Sequence, residues 1–305
     1  MQALDRRFGL TAHGTTVRTE VLAGITTFLT MAYIVFVQPV VLGAAGMDPG
    51  AVLTATCLAT AFATVLMGLM ANYPIAVAPA MGHNFFFAYT VVLAMKVPWQ
   101  VALGATAVAG LIFVVTAGVG LRERLISAIP EGLKHAIAAG IGLLIATIGL
   151  EWAGVIVAAP GTLVTLGDLH RPPVLLALGG VCVTAALVVR RVPGALLWGI
   201  LLTTVAAVPL GVARFDGIVA APPSLQPTFM QLDIGGALAP GMATVVLVFF
   251  LLALFDSVGT LVGVGTQAGL MQGPTLPRAR QALLADAVGT IVGAALGTST
   301  VTAYI

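Results

Sequence analysis

Residues 249–263 read FFLLALFDSVGTLVG, and this stretch decides the class of protein to which the chain belongs. The run is apolar enough to lie in a bilayer, yet it holds one ionisable side chain, Asp256, near its middle. A carboxylate at the centre of a membrane helix costs roughly 3 kcal/mol on insertion scales, and more if it faces bare lipid. We therefore expect Asp256 to face a partner, a ligand or water.

The composition of the whole chain indicates a polytopic α-helical membrane protein. Of its 305 residues 59% are hydrophobic and only 8% charged, with a mean hydropathy of +1.10, which excludes an ordinary soluble domain. The two cysteines, Cys57 and Cys182, lie in apolar runs and indicate neither a disulfide framework nor a metal site. The net charge of +2 gives no sign of nucleic-acid binding.

Apolar runs of about 20 residues predict the membrane spans. We predict nine helices, at 20–43, 51–71, 79–95, 98–119, 131–150, 173–190, 194–212, 241–265 and 280–297, followed by an unfinished element at 298–305. The charged segment 121–129 is predicted to lie at the membrane interface. The proline-rich segment 213–240 is predicted to be an aqueous loop.

The distribution of lysine and arginine predicts the orientation in the membrane. With a cytoplasmic N-terminus, the inside loops hold ten of these residues: Arg6, Arg7, Arg18, Arg122, Arg124, Lys134, Arg190, Arg191, Arg278 and Arg280. The outside loops hold three, which are Lys96, Arg171 and Arg214. This bias supports both the orientation and the number of spans.

The third span begins with an irregular segment. Pro74 and Pro79 lie five residues apart in the sequence YPIAVAP. A residue before proline is pushed toward an extended conformation, and proline fits the first turn of a helix. We therefore predict a short strand at 75–78 that leads into a helix from Pro79, a broken element of the kind that forms substrate sites in transporters.

An internal repeat is suggested when the chain is shifted by 226 residues. The shift aligns 58–65 with 284–291, 75–78 with 301–304, and Thr30 with Asp256. Seven spans precede the eighth, so the second copy would be inverted. A second repeat of equal length would end at about residue 440, so either the chain is a truncated product or a fragment, or the repeat is illusory. We favour the fragment.

Asp256 is the strongest candidate for a functional residue. It shares one helix face with Thr260 and Gly263, at spacings i, i+4 and i+7. A carboxylate and a hydroxyl one turn apart can accept hydrogen bonds from an N–H-bearing ligand, and the acid can titrate. The alternative is a structural carboxylate that is capped by amides or paired with a cation.

Other polar residues in the spans allow both a functional and a structural interpretation. Asn84, just after the broken segment, could present a donor and an acceptor to a polar heterocycle or join helices within the bundle. Phe85 could stack on a planar ligand or pack in the core. His83 could relay protons or pack near an interface, and Asp286 is interpreted as structural near a helix end.

Four ordered motifs then resemble those of a known family, the nucleobase–cation symporter 2 family, and within it the AzgA-like branch of adenine, guanine and hypoxanthine permeases. They are GITTFLTMAYI at 24–34, APAMGHN at 78–84, LFDSVGT at 254–260, and ALLAD at 282–286 through GTSTVT at 297–302. The resemblance extends over the whole chain.

The resemblance implies an all-α polytopic fold of two inverted seven-helix repeats, with short extended strands in broken spans three and ten. In this chain it implies a cytoplasmic N-terminus at 1–19, core-domain spans at 20–119, gate-domain spans at 120–212, an external loop at 213–240 and the start of the second repeat at 241–305. The location implied is the inner (plasma) membrane.

The resemblance also implies proton-coupled purine transport by alternating access, without enzymatic activity and with no cofactor besides the coupling proton. The implied substrate-binding residues are Asp256, Asn84, Thr260, Phe85, Thr30 and Thr300, with Asp256 also coupling protons. The expected partners are a small purine and the lipid bilayer, with a homodimer left open and no nucleic acid.

Three departures from the family pattern stand out. The chain ends at Ile305, and in relatives the next residue is a substrate-binding glutamate. Ala253 stands where many relatives have a second acid. His83 replaces an apolar residue. The open alternatives are a uracil, xanthine or anion carrier of the same fold, or a non-functional truncated fragment. An intramembrane enzyme is disfavoured because no paired acids, Ser–His or Ser–Lys pair, or HExxH motif appears.

Overall fold

The computed structural model describes residues 2–12, 14–119, 131–159, 162–192, 194–213, 217, 221–271 and 276–304. The predicted interface segment 121–129 lies outside these ranges. The chain divides into two compact units, and each unit is formed by two separate stretches of the sequence. The first unit comprises Met1–Tyr33 and Ala138–Ala221, and the second unit comprises Ile34–Ile137 and Pro222–Ile305.

The chain is mostly helical, as predicted. The helices in order are α1 (Gln2–Phe8), α2 (Val17–Met31), α3 (Ile34–Ala44), α4 (Pro49–Ala71), α5 (Met81–Phe85), a π-helix (Phe86–Ala94), α6 (Trp99–Val119), α7 (Glu131–Trp152), α8 (Pro172–Val189), α9 (Ala195–Ala207), α10 (Ile234–Ala237), α11 (Ala243–Gln267) and α12 (Ala279–Leu296). The strands are β1 (Val77–Pro79), β2 (Ile156–Ala159), β3 (Leu163–Leu166) and β4 (Val301–Ala303).

Within the described ranges, six helical segments are long and apolar enough to cross a membrane. They are Val17–Ala44, in which α2 and α3 are separate helices, Pro49–Ala71, Trp99–Val119, Pro172–Val189, Ala243–Thr266 and Ala279–Leu296. The other three predicted spans coincide with α7, with α9 and with the segment Met81–Ala94 formed by α5 and the π-helix. The chain is therefore a multi-pass membrane protein.

In the first unit, α2 and α8 both pack against α9, and β2 and β3 form an antiparallel hairpin with Ile156 opposite Leu166. The sequence analysis did not predict this hairpin. Residues 20–33, which it assigned to the core domain, belong to this unit because α2 contacts α9.

In the second unit, α12 packs between α4 and α6, and α6 also contacts α11. Small residues allow the close approach of α4 and α12, since a Cβ added at Gly289 would lie 2.7 Å from the Cβ of Ala63. The ends of α4 follow its sequence: the Asp48 side chain accepts from the amide of Ala51, and Asn72 closes the helix in a left-handed conformation.

Segment 213–240, predicted as an aqueous loop, is partly buried where it is described. The amide of Met230 donates to the carbonyl of Ala295 (2.7 Å), and the amide of Asp233 donates to that of Gln100 (2.9 Å). Thr228 is fully buried and donates to the carbonyl of Leu296 (3.1 Å). The contacts at Ala295 and Leu296 pair carbonyls in the last turn of α12, which have no partner within the helix. The contact at Gln100 holds the segment against the first turn of α6.

Candidate functional site

The second unit contains a two-stranded antiparallel sheet at membrane depth, formed by β1 and β4. Val77 lies opposite Ala303, and Pro79 lies opposite Val301. The pairing extends beyond the strands, because the amide of Ala80 donates to Thr300 O (3.0 Å) and that of Tyr304 donates to Ala76 O (2.8 Å). The broken third span predicted from the two prolines thus pairs with the element that follows α12.

The outer edges of this sheet are completed by threonines from the flanking helices. In an antiparallel pair, alternate residues point their N–H and C=O groups away from the partner strand, and such groups need partners within a membrane. Thr64 of α4 accepts from the amide of Val77 (3.0 Å) and donates to its carbonyl (3.2 Å). Thr290 of α12 donates to the carbonyl of Val301 (2.8 Å).

These contacts refine the predicted repeat. Thr64 and Thr290 are equivalent and lie 226 residues apart, the shift used in the sequence comparison. The strands, however, correspond as 77–79 with 301–303, a shift of 224, so the ungapped match of 75–78 to 301–304 was wrong by two residues. The link from the helix end to the strand is one residue shorter after Gly297 than after Asn72, which accounts for part of the difference.

The predicted start of the third helix was also two residues early. Pro79 is the last residue of β1 rather than the first of a helix, and α5 begins at Met81 after an extended Ala80. Pro79 fits the strand because its position, opposite Val301, would point an N–H away from β4, and proline has no N–H to leave unpaired.

Asp256 lies on α11, which packs against β4 of this sheet. Its Oδ2 accepts a hydrogen bond from Thr302 Oγ1 at 2.9 Å, and His83 Nδ1 lies 3.9 Å from the same oxygen. The carboxylate is 39% exposed, whereas the His83 side chain is 2% exposed. Among the residues that the structure describes, no lysine or arginine forms an ion pair with Asp256.

Two further hydroxyls belong to the surroundings of Asp256. Thr260 lies one turn further along α11, on the face of Asp256, and Thr300 lies on the same face of the extended chain as Thr302 because strand side chains alternate. The Oγ1 of Thr300 is buried and has no hydrogen-bond partner within the described residues, and Thr260 is buried as well. The sheet face against α11 thus brings together a carboxylate, an imidazole and hydroxyls that can donate or accept.

Asn84, a predicted binding residue, lies in a buried polar network beside this face. Its Nδ2 donates to Gln38 Oε1, and its Oδ1 accepts from Ser299 Oγ. Gln38 in turn donates to Thr298 (3.0 Å) and Ser299 (3.1 Å). Both polar atoms of the Asn84 amide are therefore engaged by protein groups, so a direct ligand contact would have to share or displace one of them.

The remaining predicted residues fall in three different places. Phe85 is buried on α5, with its ring centroid 5.9 Å from that of Tyr89. Thr30 belongs to the first unit and donates to the carbonyl of Thr27 (2.8 Å). Asp286 is buried inside α12 rather than near its end, and it accepts from Ser257 Oγ, next to Asp256 in the chain.

Gln38, Thr298 and Ser299 are polar residues of the site region that the sequence analysis did not single out. Gln38 is the one amide in the otherwise apolar helix α3, which was a usable signal of a buried polar contact. Within the described ranges, no group of three histidine, cysteine, aspartate or glutamate residues could hold a metal ion.

Residues 18–305 match the Permease family, Xan_ur_permease. The chain is 48% identical over 303 residues to the adenine permease AdeP of Escherichia coli strain K12, which covers 99% of this chain and 68% of that protein. It is 49% identical over 304 residues to the guanine/hypoxanthine permease PbuG of Bacillus subtilis strain 168, covering 96% and 69%.

A solved structure supports the fold. The transmembrane domain of the cyanobacterium bicarbonate transporter BicA matches with a TM-score of 0.63 at 16% identity, and the match covers 93% of this chain and 73% of that one. At this identity the likeness concerns the fold alone.

Proposed function

The chain belongs to the Permease family Xan_ur_permease, and we propose that it carries purine nucleobases across a membrane. Two sets of relatives support this substrate class: adenine permeases at 48% and 45% identity, and guanine/hypoxanthine permeases at 49% and 43%. The family and these relatives also make the protein a transporter rather than an enzyme.

The observation that carries the proposal is the partly exposed carboxylate of Asp256. Purines present ring N–H groups as donors and ring nitrogens as acceptors, and a carboxylate accepts hydrogen bonds from such N–H groups. The second oxygen of Asp256, Oδ1, has no hydrogen-bond partner among the described contacts, and the carboxylate is partly exposed. The Thr300 hydroxyl, which has no partner in the described part of the chain, and the buried Thr260 hydroxyl suit the acceptor nitrogens of the ring.

The other residues implied by the resemblance have a less direct part in the proposal. Asn84 would act through its network with Gln38 and Ser299, or by exchanging one of these partners for the substrate. Phe85 as a stacking residue and Thr30 as a polar contact stay predictions, as does a homodimer.

The transport mechanism that we propose is proton-coupled symport by alternating access. Asp256 would take up the coupling proton. An ionised carboxylate in an apolar span is energetically costly, and binding a proton removes its charge. Motion of the two sets of spans against each other would then expose the substrate to the opposite side.

The proposed location is the inner (plasma) membrane, with a cytoplasmic N-terminus. The excess of lysine and arginine on one set of loops, ten against three, supports this orientation. An accessible-cysteine label or a reporter fused at the N-terminus would test it.

Replacement of Asp256 by asparagine tests the function. The change keeps the size of the side chain and removes its charge, so we expect uptake of labelled adenine, guanine or hypoxanthine to fall roughly 10- to 100-fold, the loss of one charge-assisted hydrogen bond. The matched control is Glu151→Gln, an exposed carboxylate at the end of α7. Equal amounts of each variant in the membrane are verified before uptake is compared.

Competition with unlabelled uracil, xanthine and bicarbonate separates the alternative carriers. If the proposal holds, unlabelled adenine, guanine and hypoxanthine should compete, whereas uracil, xanthine and bicarbonate should not. Unchanged uptake in Asp256→Asn, with an unchanged dependence on external pH, would remove Asp256 from the mechanism.

A further inference from the structure

Two side chains from different elements converge on one oxygen of Asp256. Thr302 Oγ1 of β4 donates to Oδ2 at 2.9 Å, and His83 Nδ1 of α5 lies 3.9 Å from that same Oδ2. Oδ1 receives neither group. The carboxylate is thus held from one side, and its two oxygens have different surroundings.

His83 is poorly explained by packing alone. Its side chain is 2% exposed, and its Nε2 is buried without a hydrogen-bond partner in the part of the chain that the structure describes. An unpaired polar atom in an apolar interior costs about 1–3 kcal/mol by mutational measures, and a leucine or methionine would fill the same space without this cost.

The ring nitrogen that faces Asp256 identifies the state of the imidazole. Because a carboxylate oxygen can only accept when ionised, a neutral His83 keeps its proton on Nδ1 and leaves the lone pair on Nε2.

We propose that His83 is a positioning residue for the substrate-binding carboxylate, which with Thr302 holds Oδ2 so that Oδ1 faces the purine. The imidazole presents its Nδ1 side to Oδ2, so its removal should weaken the hold on the carboxylate and thereby the binding of substrate. The inference rests on the proposed role of Asp256.

The test compares uptake kinetics of four variants at one fixed pH, in cells or in proteoliposomes with the full chain and labelled adenine. His83→Leu removes the polar contact, whereas His83→Gln keeps a hydrogen-bond donor at this position. Thr302→Val removes the other support of Oδ2 while conserving shape. His170→Gln is the matched control, because the His170 side chain is fully exposed in the first unit.

The expected result is a change in KM with little change in the maximal rate. KM in His170→Gln should equal that of the unmodified protein. His83→Leu should raise KM roughly tenfold, the equivalent of 1.4 kcal/mol. His83→Gln should raise it less than threefold, and Thr302→Val should raise it as well.

An unchanged KM in His83→Leu would overturn the inference, and so would a rise in KM in His83→Gln as large as that in His83→Leu. If His83→Leu does not accumulate in the membrane, Thr302→Val decides, and an unchanged KM in that variant overturns the inference. The outcome is separable from that of the proposed function: Asp256→Asn without effect on uptake rejects both, whereas a strong effect of Asp256→Asn with unchanged His83 variants rejects only the role of His83.

Discussion

The two units of the chain use their polar side chains in different ways. In the first unit, side-chain hydrogen bonds join residues that are close in the chain, such as Thr11 and Asp5, six positions apart. Thr184 and Thr203, for example, donate to carbonyls of their own helices at Gly180 and Gly199 (2.8 and 2.7 Å). In the second unit, side chains also join separate elements, with partners 11 to 261 residues apart.

The helices of the first unit are matched by shape instead. A Cβ added at Gly199 would collide with Thr184 Oγ1, and one added at Gly180 would collide with Thr203 Oγ1. Small residues at a contact let two helix backbones approach within a membrane. The contact between α8 and α9 therefore depends on the size of its residues and hardly on their polarity.

The second unit depends on polarity because it contains extended backbone and broken helices. Thr64, Thr290 and Gln38 supply hydrogen bonds that a continuous helix would provide by itself. The same requirement gathers polar atoms around Asp256. The difference teaches that the candidate site around Asp256 and the fold of the second unit share one set of hydrogen bonds, so substitutions there should affect both.

The largest effect on stability is expected for Gln38→Leu. The substitution conserves volume but removes the partners of Asn84 Nδ2, Thr298 and Ser299 at a fully buried position. Because several buried groups lose a hydrogen bond together, we expect a loss of about 2–4 kcal/mol. The measurement is the thermal midpoint of the purified protein in one detergent.

The control for this prediction is Gln226→Leu, at an exposed position in the same unit. It should leave the midpoint nearly unchanged. Equal shifts for Gln38→Leu and Gln226→Leu would show that the network does not stabilise the second unit. The two units would then differ in the arrangement of their hydrogen bonds but not in how much these bonds contribute to stability.

Much of the fold could be predicted because membrane burial acts on each segment separately. The nine apolar runs coincide with helical segments, and the two prolines of 73–79 indicated the break before α5. The β2–β3 hairpin was missed although two β-branched runs flank the turn-forming pair Pro160-Gly161 in the sequence. Local apolar character could not separate these short strands from a loop.

The site was predictable only in part, because its contacts join distant segments. Asp256 stood out as a charge in an apolar run, and that signal needs no knowledge of its neighbours. The engagement of Asn84 by Gln38 and Ser299 depends on how α3, α5 and the segment before β4 meet, which no local pattern encodes. The same holds for His83, whose proximity to Asp256 follows from the packing of α5 against α11.

A smaller effect is expected for Thr64→Val. Valine has the shape of threonine but cannot pair with the amide and carbonyl of Val77, both of which point away from β4. We expect a loss of about 1–2 kcal/mol. Thr290→Val, which removes one bond rather than two, should cost about half as much. A larger loss for Thr290→Val than for Thr64→Val in the same thermal assay would contradict this account of the strand edges.

The smallest effect is expected for Thr203→Val in the first unit, and it is the sharpest test of the contrast. The Thr203 hydroxyl bonds within its own helix, where the Gly199 carbonyl keeps its helical partner, while its methyl group contacts Gly180 as a valine methyl would. Its loss should change stability by no more than about 0.5 kcal/mol. Gly199→Val at the same contact should cost about 1–3 kcal/mol, because the added side chain has no space against Thr184. If Thr203→Val were instead as damaging as Thr64→Val, hydroxyl groups would stabilise both units equally, and the first unit could not be described as matched by shape alone.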